Sequence, residues 1–95
     1  MRHELKTDGD VFQAVLDGRK TYELRFDDRD YKIDDELLLR EVKYTGEEMR
    51  NGKPLVYTGS AILVRVTHIL RGPAYGLMEG WVIMSIIRAV KDSQE

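Results

Sequence analysis

Lys20, Glu23 and Arg25 bring an ammonium, a carboxylate and a guanidinium together within one short run, Gly18 to Arg25. On an extended chain Glu23 and Arg25 share a face, because side chains alternate with a period of two, and Lys20 stands just before them. The set suits anion recognition and proton transfer. Arg25 can grip a phosphate or a base edge through parallel N–H bonds, and Glu23 can orient either cation. Lys20 can act as a point charge or, if desolvated, as a base. The same residues also fit a solvated strand face carrying an ordinary ion pair, worth roughly 0 to 1 kcal/mol. Spacing alone leaves both readings open.

Other residues with chemistry to offer are fewer. Asp27, Asp28, Asp30, Asp34 and Asp35 form an acidic cluster of the kind hard cations prefer. Counting from Asp28, however, an EF-hand would need glycine where Ile33 stands and glutamate where Leu39 stands. A solvated acidic turn is therefore expected, with no metal and no cofactor. His3 and His68 are the only histidines, and a pair without a third ligand makes a poor zinc site. His68 falls on the apolar face of its segment and is expected in the core. Tyr22 is expected to pack beside Leu24, whereas Tyr31 or Tyr75 could stack a base from a loop. Trp81 reads as a core anchor. The absence of cysteine removes disulfides, thiolate metal sites and cysteine nucleophiles together.

The elements that must position these groups follow from pattern. His3 to Lys6 is a short extended segment, and Thr7, Asp8 or Asp10 can cap a helix behind it. Val11, Phe12, Val15 and Leu16 share one helical stripe, which Gly18 ends. Thr21 to Phe26 alternates as a half-buried strand, with Tyr22, Leu24 and Phe26 assigned to the core face. Glu36 to Lys43 reads as a strand buried on both faces through Leu37, Leu38 and Leu39. Tyr44 to Gly59 is glycine-rich and polar, with Asn51-Gly52 as a tight-turn signal, so a hairpin or loop is expected. Ala61 to Leu70 alternates, with Ile62, Val64, Val66 and Leu70 on one face. Trp81 to Ile87 is the last strand. One helix followed by strands at hairpin spacing predicts an α+β fold: a small, strongly curved sheet or barrel of about five mostly antiparallel strands.

A chain of 95 residues closes one hydrophobic core. A single domain over residues 1–90 with a polar tail over 91–95 is expected. No apolar run approaches the roughly 18 residues of a membrane span, and MRHELKTDGD lacks the apolar segment of a signal peptide. The expected setting is cytoplasmic and away from membranes. A net charge of −2 excludes the broad basic field of non-specific DNA binders, so any nucleic-acid contact must be local. Monomer and homodimer are both compatible with the sequence.

Gly18-x-Lys20-x-x-Glu23-x-Arg25 resembles the G-x-K-x-x-E-x-R signature of the ASCH domains, members of the PUA-like β-barrel superfamily. The likeness extends through His3-Glu4-Leu5-Lys6, Asp28-Arg29-Asp30-Tyr31, Leu37-x-Leu39-x-Glu41, Gly76-Leu77-x-Glu79-Gly80 and Met84-Ser85-Ile86. It is strongest with a small bacterial and phage branch of uncharacterised function. One departure is Asp34-Asp35, where the branch usually has Gly-Asp. An aspartate is then expected to take the left-handed turn that glycine takes elsewhere.

The resemblance implies a barrel with a cleft lined by the signature residues, proposed across the superfamily as a site for RNA or a modified nucleotide. It makes Asp28 and Arg29 candidate cleft residues, although an arginine flanked by aspartates also fits a turn brace. It further implies that His3, in the shared opening stretch, approaches the cleft. Ligand-binding candidates are thus Lys20, Glu23, Arg25, Asp28, Arg29, His3 and Tyr31, with Lys20 and Glu23 as the pair for any catalysis. Two alternatives stand beside RNA or nucleotide binding. Some relatives are similar to amidohydrolases acting on N4-acylated cytidine, others to ribonucleases. The amidohydrolases carry a threonine where Glu23 stands and a helical insertion for which Leu70 to Glu79 is too short. The last alternative is a host or phage protein-interaction module using the Tyr44 to Gly59 loop.

Overall fold

The computed structural model describes residues 1–89. The expected polar tail at 91–95 lies outside them. The chain runs β1 (Arg2–Asp8), α1 (Gly9–Leu16), β2 (Tyr22–Phe26), β3 (Glu36–Val42), α2 (Gly46–Arg50), β4 (Tyr57–Arg71) and β5 (Trp81–Arg88). The five strands form one sheet in the order β1-β3-β4-β5-β2. Every neighbouring pair is antiparallel except β1 and β3, which run parallel. The sheet curls into a half-barrel, so β1 and β2, its two edges, come to face each other. The α+β class with mostly antiparallel strands is as expected, and a second short helix is added.

The core fills the concave side of the curl. Alternation along β1 buries His3, Leu5 and Thr7 and exposes Arg2, Glu4 and Lys6. Leu37 and Leu39 from β3, Val64 and Val66 from β4 and Met84 from β5 meet them, all almost fully buried. Helix α1 lays Phe12 and Val15 against this layer and packs on β1 and β3. Its eight residues bury only half the predicted stripe, since Leu16 is exposed and Val11 half-buried. Asp8 takes the N-cap position without a side-chain cap bond, and Gly18, at φ 84°, accepts the left-handed turn that ends the helix.

Three local expectations are corrected. Tyr44 to Gly59 holds helix α2, begun by a reciprocal capping box between Thr45 and Glu48 and stopped at Asn51-Gly52. The Asn-Gly pair therefore ends a helix instead of turning a two-residue hairpin. In β4 a bulge between Val66 and His68 shifts the pleat by one. Ile69, not Leu70, then packs on the core, and His68 is exposed instead of buried. Trp81 is half-buried and meets Phe26 edge-on at 5.9 Å, while Val82, Met84 and Ile86 supply the core face of β5. The turn before β3 matches expectation, with Asp34 at φ 77° in the glycine-like conformation.

Candidate functional site

Strand β2 presents its charged face inward, the reverse of the expected assignment. Glu23 is only 3% exposed, whereas Tyr22, Leu24 and Phe26 are 47%, 46% and 53% exposed. At the edge of the curl the inner side of β2 faces the opposite edge strand instead of the apolar core. Mutual neutralisation there makes burial of charge tolerable. Glu23 Oε1 accepts from Lys20 Nζ at 3.0 Å and Oε2 from Arg25 Nε at 2.6 Å. Lys20 also donates to the Tyr22 carbonyl at 2.6 Å and lies 4.7 Å from the centre of the Tyr22 ring. The three side chains thus form one linked set, tied to the backbone of β2 at the Tyr22 carbonyl.

Arginines span the gap between the sheet edges. Arg25 Nη2 donates to the Lys6 carbonyl at 2.9 Å, and Arg29 Nη1 donates to the Glu4 carbonyl at 3.1 Å. Strand β1 uses its other edge to pair with β3, so these carbonyls lie on its free edge, where no strand answers them. Side-chain donors therefore close part of the barrel that no backbone ladder closes. Arg29 is at once a brace and a cleft residue, and Asp28 stands 3.9 Å from its Nε.

Around this seam lies a cleft of about 620 Å³, within the usual range for small-ligand sites. Lys20, Glu23, Arg25, Asp28, Arg29 and Tyr31 line it from the β2 side, and Lys6, Thr7 and Asp8 from the β1 side. Leu24, Phe26 and Trp81 complete its apolar rim. From the opening stretch the sequence singled out His3, whereas Lys6, Thr7 and Asp8 form the β1 wall. Lys6 does end the short extended stretch His3-Glu4-Leu5-Lys6, the signal in the sequence that bears on it.

Two candidates take other roles. Tyr31 is 1% exposed, its ring edge-on to His3 at 4.9 Å, so it cannot offer a face for stacking. Its backbone is pinned by Asp27 and Arg71, which draw this part of the acidic turn into the core. Tyr31 nonetheless lines the cleft, and burial pushes its phenol above its ordinary pKa against the pull of Arg25 and Arg29. His3 does not line the cleft. It is buried behind Tyr31 and donates through Nε2 to Asp35 Oδ2 at 2.9 Å. Asp35 also accepts from the Lys32 amide at 3.0 Å. Burial opposes its charge, yet these hydrogen bonds hold its carboxyl below the usual range.

The remaining aspartates of the turn each meet a cation. Asp27 is 2.7 Å from Arg71, Asp34 3.1 Å from Arg65 and Asp30 3.2 Å from Lys32. Among the described residues no group of three or more histidine, aspartate or glutamate side chains is placed to hold a metal ion. No described helix is long and apolar enough to cross a membrane.

Comparison with the curated proteins finds no match. Residues 2–86 match a family described as a domain of unknown function, DUF3850. The match takes in both walls of the cleft and every strand but the last residues of β5. The chain belongs to the DUF3850 family.

Proposed function

We propose that this protein binds single-stranded RNA or a modified nucleotide in the cleft between β1 and β2. Support comes from one juxtaposition: the cations Lys20, Arg25 and Arg29 line the same cleft as the exposed rings of Tyr22 and Phe26. Cations that follow a phosphate beside aromatic faces that stack a base are the recurring components of single-strand recognition. The likeness of Gly18-x-Lys20-x-x-Glu23-x-Arg25 to the ASCH signature points the same way.

Binding fits the contacts better than hydrolysis does. A base lysine has to give up and accept a proton freely, whereas Lys20 is tethered to both Glu23 and the Tyr22 carbonyl. These tethers suit a fixed positive charge. Titration of short single-stranded RNAs and of modified nucleosides against the protein and an Arg25→Ala variant tests the reading. Loss of one charge-assisted contact, worth about 1.5 to 3 kcal/mol, is expected to weaken binding at least tenfold. Equal affinity for both proteins would overturn it.

A further inference from the structure

Around Glu23 the cleft keeps donors that its own acceptor does not use. Glu23 has both carboxylate oxygens engaged by Lys20 and Arg25. Arg25 uses Nε for Glu23 and one Nη2 bond for Lys6, which leaves Nη1 without a partner among the described residues. Arg29 commits only Nη1 to a hydrogen bond. Tyr31, a residue 1% exposed, lines the cleft, and its hydroxyl has no hydrogen-bond partner among the described residues. A buried hydroxyl without a partner costs free energy, and a ligand acceptor removes that cost.

Spacing and charge narrow the acceptor. Arg25 and Arg29 reach carbonyls two residues apart on β1. Two residues along a strand span roughly 7 Å, a separation that the oxygens of one tetrahedral oxyanion can bridge between two guanidiniums. The cleft as a whole is lined by four cations (Lys6, Lys20, Arg25, Arg29) and three carboxylates (Asp8, Glu23, Asp28), a surplus of one positive charge. A single negative charge balances it. A phosphodiester carries one, whereas a terminal phosphate carries about 1.5 to 2 near neutral pH.

Resting on the nucleic-acid reading above, we infer that Tyr31, Arg25 and Arg29 form a subsite for one internal phosphodiester, so that the ligand is an oligonucleotide linkage and not a free mononucleotide. The Tyr31 hydroxyl donates to a non-bridging oxygen, the guanidiniums flank the phosphate, and a neighbouring base reaches Tyr22 or Phe26 at the rim.

Calorimetric titration with ApA, CpC, GpG and UpU, beside the matching 5′-mononucleotides at pH 8, tests this on the protein, Tyr31→Phe and Arg25→Ala. At least one dinucleoside monophosphate is expected to bind more tightly than its mononucleotide. Tyr31→Phe, which removes one oxygen and keeps the ring, is expected to weaken that binding about tenfold. Equal affinity of Tyr31→Phe and the parent protein, with Arg25→Ala still defective, would overturn the subsite and leave the nucleic-acid reading standing. Mononucleotides bound as tightly as the dinucleotides would also overturn it. Failure of the parent protein to bind these ligands, RNA or nucleosides would remove both. Should Tyr31→Phe not fold, as judged by its thermal transition, Arg29→Gln carries the same expectation and the same refutation.

Discussion

Glu23 is the residue on which the site turns. Its side chain is 5% exposed and holds Lys20 on one oxygen and Arg25 on the other. Removing a buried charge leaves its partners desolvated and unanswered, at a cost of about 3 to 5 kcal/mol when all are fully buried. Lys20 and Arg25 keep some contact with water, so Glu23→Ala is expected to cost about 2 to 4 kcal/mol, read from urea denaturation midpoints. A loss below about 1 kcal/mol would place the set among ordinary surface ion pairs. Lys20→Met is expected to cost less, because it removes a charge that already reaches solvent and leaves Glu23 bonded to Arg25. That asymmetry is what is expected of a carboxylate that organises two cations.

At the scale of elements, the turn from Asp27 to Asp35 joins β2 to β3 and is tied back to β1 through Asp35 and His3. Asp35→Asn weakens that tie by about 1 to 3 kcal/mol, the cost of a lost charge-assisted bond. The loss depends on pH. The folded-state pKa of Asp35 lies below its unfolded value of about 3.9, so on acidification the unfolded chain takes up the proton first. Its stabilisation is full above the unfolded pKa and is lost as pH falls through the folded one. The difference in urea midpoint between parent and Asp35→Asn should therefore shrink as pH falls from about 5 to below 4; a gap that widens over that range contradicts the assignment. The elements themselves were largely legible, since alternation and caps located α1 and all five strands. Orientation was harder. Alternation in Thr21 to Phe26 separates two faces but does not say which one turns inward, and apolar content favoured the wrong one because β2 borders a cleft instead of the core. The bulge after Val66 leaves no mark in a sequence that keeps alternating to Leu70. Lys20, Glu23 and Arg25 could be grouped from local spacing, whereas Lys6 joins them only through the parallel pairing of β1 with β3, which links residues more than thirty positions apart.

For the whole molecule, the curl of the sheet leaves two free edges facing each other, and Lys6, Lys20, Arg25 and Arg29 line the cleft between them. The protein as a whole carries −2, so beyond the seam its field repels a polyanion instead of drawing it in. A nucleic acid held by one phosphate in a locally cationic cleft should then show weak dependence on salt. Counterion release on single strands lowers log K by about 0.7 per phosphate contacted for each tenfold rise in salt. Binding of an oligonucleotide several nucleotides long, measured between 50 and 300 mM KCl, is expected to give a slope near −0.7. Lengthening the strand should add little to that slope, because the flanking phosphates would meet a neutral or acidic surface. A slope steeper than about −3 would require several phosphate contacts at once. That result would move recognition out of the seam and onto a surface whose charge, summed over the chain, offers no basis for it.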